Sequence, residues 1–136
     1  MSHSNFDITA LILRLGFGLN MIFGHGLGKF LKLFSGAEIK FPSILGLSPT
    51  LGLSLAVLGE FIACIFIILG YKTKYAVVFS IVTMAVAAFI AHGDDPWFSR
   101  GGSSKEMAVL YLIGFVSIYF IGSGKFSLDH KLSGSF

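Results

Sequence analysis

The sequence predicts an all-α protein of the membrane, a four-helix transmembrane bundle, and three observations carry that reading. Only 12% of the residues are charged while 54% are hydrophobic, and the mean hydropathy is +0.84. A soluble chain of 136 residues needs more charge than this to cover its surface. Four apolar runs, over residues 8–34, 51–70, 76–92 and 106–121, are separated by segments holding Gly, Pro, Ser and charge. Small residues recur within the runs at helical spacing, as in Gly52, Ala56, Gly59 and Ala63, which lets helix backbones approach closely in lipid. At this length a single domain is expected.

The first run follows a short polar lead in which Asp7 or Thr9 can cap a helix. At 1.5 Å per residue, the run over 8–34 is roughly 40 Å long against a hydrocarbon core of about 30 Å, so it tilts or its last turn leaves the bilayer. Nothing basic precedes it, it is too long for a signal-peptide core, and it lacks a clear cleavage site; it is expected to be retained as a span. The connector over 35–50 carries Pro42, Gly46 and Pro49 but is itself apolar around Phe41 and Leu45, which predicts a segment lying in the interface or folded back over the helix ends as a lid. The second span, 51–70, is followed by a tight basic turn between Tyr71 and Tyr75. The third span, 76–92, is close to the shortest that crosses, and a Gly/Ser-rich loop with Asp94, Asp95, Trp97 and Arg100 leads to the fourth, 106–121, and a polar tail.

Four spans put both termini on one side. Lys72 and Lys74 in the short turn, with Lys125 and Lys131 in the tail, favour the cytoplasmic side. The net charge of +3 reflects few acids, and the scattered Lys and Arg exclude a nucleic-acid surface. The one cysteine, Cys64, excludes an internal disulfide and reads as a packed small residue.

Polar residues inside the runs point to function. The first span carries Arg14, Asn20, His25 and Lys29; on an ideal helix Arg14 and His25 lie about 20° beyond three full turns apart, and His25 stacks over Lys29. Because successive helices alternate in direction, the end of the first span, the start of the second, the end of the third and the start of the fourth share one side. His25 and Lys29, Glu60, His92 and Glu106 thus fall in one half of the bundle, with Arg14 deeper. A charge at the bilayer centre costs at least about 2.5–3.5 kcal/mol, so these groups should face inward and pair, Arg14 and Lys29 against Glu60 and Glu106. The two histidines titrate near neutral pH and can carry protons. Four ligand-type residues on four helices have no metal-site spacing, and no metal is expected.

Taken together, Arg14-Leu-Gly-x-Gly, Phe23-Gly-His25-Gly-x-Gly-Lys29, Gly59-Glu60, Phe89-Ile-Ala-His92, Glu106 and Gly122-Ser-Gly-Lys-Phe-Ser-Leu-Asp129 resemble the DoxX family of small four-helix bacterial membrane proteins. Gly122-Ser-Gly124 stands where that family's Gly-Pro-Gly is expected. The resemblance implies a multi-pass protein of the bacterial inner membrane, a component of quinone, thiosulfate or thiol redox chemistry working with a soluble or membrane redox partner. One cysteine cannot cycle through a disulfide alone, and a quinone suits the residues better. Glu60, His25 and His92 are then the candidate catalytic groups, with Arg14, Lys29 and Glu106 binding the substrate. Whether the chain is itself an enzyme is left open. The alternatives are a non-catalytic scaffold or assembly partner of a redox complex, or a small transporter, for which a chain of this size would form a homo-oligomer.

Overall fold

A computed structural model describes residues 3–133. Helix α1 takes residues 3–33, as His3–Met21, a wider π-helical turn at Ile22–Gly26, and Leu27–Leu33. Helix α2, Pro49–Leu69, is interrupted by a π turn at Leu58–Ile62, and α3, Thr73–Ala91, ends in one at Ala87–Ala91. Helix α4 is Glu106–Ile121, and a short α5, Leu128–Leu132, lies in the tail. Helix α1 packs on α2 and α4, and α3 packs on the same two, so the four long helices form an up-and-down ring.

Local chemistry sets the helix ends. Ser48 accepts a hydrogen bond from the Leu51 amide at 3.3 Å and Pro49 occupies the first turn, which starts α2 two residues before the apolar run. Gly70, in the left-handed region at φ 67°, closes it. Helix α3 begins at Thr73 rather than at 76, because the Asp129 carboxylate accepts from the amides of Lys72 (2.6 Å) and Thr73 (2.9 Å) and from the Thr73 hydroxyl (2.7 Å). A carboxylate from the tail thus supplies the cap that the basic turn lacks.

The interior joins Met21 of α1, Cys64 and Ile67 of α2, Val77 of α3, and Phe115 and Ile118 of α4. Outside it, the helices present Ile12, Phe23, Val82, Ile113 and Phe120, all exposed, as expected of surfaces that meet lipid tails. Helices α1, α2 and α3 are each long and apolar enough to cross a membrane. Helix α4 is apolar but has 16 residues, about 24 Å, shorter than the hydrocarbon core of about 30 Å. The chain is a multi-pass membrane protein.

Close backbone contact positions the rest. A methyl group added at Gly26 would strike the Glu60 carbonyl oxygen and approach its carbon at 2.7 Å, so two π turns meet backbone to backbone. One added at Gly59 would strike the Thr83 hydroxyl. The Gly59 carbonyl accepts from the Ser80 hydroxyl at 2.7 Å, which suits a wider turn whose carbonyls lose their usual partner four residues on.

Candidate functional site

The ring of helices is not filled at the end where α1 and α3 stop. A cavity of about 580 Å³ lies there between α2 and α3, beneath the connector. Most of its wall is hydrocarbon, contributed by Phe41, Ile44 and Leu47 of the connector, Leu55 and Ala56 of α2, and Val82 and Val86 of α3. Into this wall α1 delivers Lys29, α2 delivers Glu60, and the end of α3 delivers His92.

Lys29 Nζ stands 2.5 Å from Glu60 Oε2, joining α1 to α2. The Glu60 side chain is 6% exposed and that of Lys29 is 28% exposed, so the carboxylate is the trapped member and the ammonium the one that can move. In apolar surroundings such a pair holds only while both charges face each other. His92 Nδ1 is 2.7 Å from Asp95 Oδ2 in the following loop, which leaves Nε2 for other partners. The structure also brings in a residue of the Gly/Ser-rich loop, since Asp95 orients His92. The i, i+3 spacing of His92 and Asp95 was the available signal.

Of the six residues singled out in the sequence, Lys29, Glu60 and His92 converge on the cavity and three do not. His25, within the π turn, packs its ring edge-on against Tyr111 of α4, with centroids 5.6 Å apart, and stands outside the cavity wall, while Lys29 pairs with Glu60. Glu106 opens α4 at the same end of the bundle, half-buried and outside the cavity wall.

Arg14 is neither the counter-ion of Glu60 nor part of the cavity. It is 1% exposed and donates from Nη1 to the Ser123 carbonyl (2.5 Å) and from Nη2 to the Phe126 carbonyl (2.7 Å). It lies beneath Gly70, where an added methyl would strike its guanidinium. Asp7 receives the Lys125 amide at 2.9 Å on the same side. Arg14 and Asp7 thus clasp the tail at the opposite end of the bundle, and Asp129 ties that tail to the start of α3. Backbone carbonyls that lack a partner can accept from a guanidinium, and sequence spacing cannot reveal them.

Among the described residues, no three of His, Cys, Asp and Glu gather into a group that could hold a metal ion. Cys64 is buried beside Ser80, at 3.8 Å, as a packed small residue.

Comparison with known proteins bears on the same elements. The DoxX family matches residues 9–93, which hold Lys29, Glu60 and His92. An uncharacterised protein of Haemophilus influenzae is 34% identical over 113 residues, covering 79% of this chain and 78% of that protein. No solved structure matches the chain.

Proposed function

The chain belongs to the DoxX family, and on that footing we propose that it is a membrane-embedded oxidoreductase subunit that binds a quinone or another small redox molecule in the cavity beneath the connector. The observation that carries the binding is the Lys29–Glu60 pair set in the wall of an otherwise apolar cavity of about 580 Å³. Pockets for small molecules and cofactors are of this size, roughly 300–1,000 Å³, and combine apolar walls with a few placed polar groups. The redox part of the reading rests on the family resemblance.

The residues present fit such a group. Lys29 Nζ can donate to a carbonyl oxygen, and the flat hydrocarbon walls suit a ring. When bound, a quinone supplies two-electron, two-proton chemistry, its electrons exchanged with a partner redox protein. The chain's own part is to bind, exclude water and move protons. Glu60, held by Lys29 in the resting site, takes or returns a proton when the ammonium turns to the ligand. His92, fixed at Nδ1 by Asp95, presents Nε2 at the cavity wall and passes protons to the loop side. In the inner membrane, with α4 crossing as well, Lys72, Lys74, Lys125 and Lys131 mark the clasp end as cytoplasmic, and the cavity lies in the half nearer the other face.

Purified protein in quinone-free lipid tests this. Wild type is expected to bind a soluble quinone analogue, and Lys29→Met to weaken binding at least about tenfold, since a hydrogen bond from a charged donor contributes about 1.5–3 kcal/mol. Absence of binding by wild type, or unchanged binding by both Lys29→Met and Glu60→Gln, overturns the reading. One observation favours the scaffold alternative: the same ion pair also bolts α1 to α2. In that case the joint substitution Lys29→Met with Glu60→Leu leaves complex assembly intact.

A further inference from the structure

The cavity is longer than a headgroup requires. On α3 its wall runs from Val78 to Ala91, and 91 − 78 = 13 residues is about 20 Å of helix. The Lys29–Glu60 pair lies level with Phe79 and Thr83, near one end of this wall, His92 stands at the other, and the rest is almost wholly hydrocarbon. Leu55, Phe79 and Val82 line this part and are nevertheless 47%, 52% and 57% exposed. On helices that cross a membrane, a side chain that is both cavity wall and exposed marks an opening toward lipid, here along the outer seam of α2 and α3. The end facing water is overlain by apolar connector residues, with Phe41, Ile44 and Leu47 half-buried and Leu45 outermost at 68% exposed.

Resting on the function proposed above, we infer that the α2–α3 seam is a tail-binding groove, and that the ligand is a neutral-headed amphiphile with a long apolar chain that enters sideways from the bilayer. A polar pair beside an apolar seam that opens on lipid matches a headgroup joined to a chain. The Lys29–Glu60 pair is self-neutralising, so the site offers no net charge to a small anion, and such an ion would have to cross the apolar roof. Of the two ligand classes considered, the tailed quinone fits and the water-soluble redox ion does not. The chain gains little by transfer, because lipid tails are as apolar as the groove. Its contribution is to confine the ligand to the bilayer and to seat it by packing. A tailless headgroup therefore still binds at Lys29 and Glu60.

The experiment uses the full chain in quinone-free phospholipid nanodiscs with three probes: a tailless benzoquinone, the same headgroup on a ten-carbon chain ending in a diazirine, and a phosphatidylcholine with a diazirine in its acyl chain. Light-driven labelling by the tailed quinone is expected on residues 51–91, competed by excess unlabelled tailed quinone. Val82→Trp, which fills the groove, is expected to lower that labelling about tenfold, as overpacking does, and to lower tailless binding by less. Labelling that falls on α1 and α4, or that only the phospholipid probe produces, while the tailless quinone still binds, overturns the groove and leaves the headgroup site standing. If neither quinone binds, the headgroup reading fails and the groove with it. The wild-type labelling map decides the matter even if Val82→Trp does not fold.

Discussion

Removing one member of the Lys29–Glu60 pair should cost far more when the member removed is Lys29. At 2.5 Å, two unit charges attract by about 7 kcal/mol at an effective dielectric constant of about 20. Desolvation offsets much of that attraction. What a single substitution exposes is the cost of leaving the other charge behind, about 3–5 kcal/mol for a fully buried partner. Lys29→Met leaves the carboxylate of Glu60, 6% exposed and without room to reach water, so the full range applies until Glu60 takes up a proton. Glu60→Gln leaves an ammonium whose side chain is 28% exposed and near a helix end, and it can snorkel outward, so about 1–2 kcal/mol is expected. The double variant should lie within about 1 kcal/mol of Glu60→Gln alone, because the stranded charge is gone. The assay is reversible unfolding in bicelles by steric trapping, run as a double-mutant cycle. Equal losses for the two single variants, or a larger loss for Glu60→Gln, would refute the assignment of Glu60 as the trapped charge.

Other outcomes follow from particular contacts. Gly26→Ala should destabilise by about 1–3 kcal/mol or more, because the new methyl meets the Glu60 backbone, whereas Gly28→Ala, with nothing within 4 Å, should be neutral or slightly stabilising in the same unfolding assay. Arg14→Met should cost about 2–4 kcal/mol by leaving the Ser123 and Phe126 carbonyls unpaired, and should open Lys125 to trypsin; Arg14→Lys should not rescue it, since one ammonium cannot span both carbonyls. Asp129→Asn should cost about 1–2 kcal/mol and speed hydrogen exchange at the Lys72 and Thr73 amides while leaving cavity binding unchanged.

Hydropathy made the long helices legible, because the solvent that selects such runs is uniform along them. The pairing of Lys29 with Glu60 was legible as well, since opposite charges at membrane depth must find each other. The setting of His25 was hidden for a local reason: its packing against Tyr111 of α4 is a contact that no window over α1 contains. Arg14 was misplaced for a distant one, its acceptors being carbonyls 109 and 112 residues away. Such partners carry no side-chain signature. The start of α3 was hidden in the same manner, its cap arriving from Asp129, 56 residues beyond Thr73.

The clasp bears on how the protein is made. Arg14 is synthesised 109 and 112 residues before the carbonyls that satisfy it, those of Ser123 and Phe126. Throughout synthesis the nascent first helix therefore carries an unpaired guanidinium, a group that the insertion machinery penalises at membrane depth. Only the segment after α4 relieves it, and the same segment fastens the α2–α3 turn through Asp129. A chain halted before Ser123 keeps every apolar run and still lacks the bonds that lock Arg14 in place. Synthesis of the segment after α4 and closure of the bundle are thereby coupled.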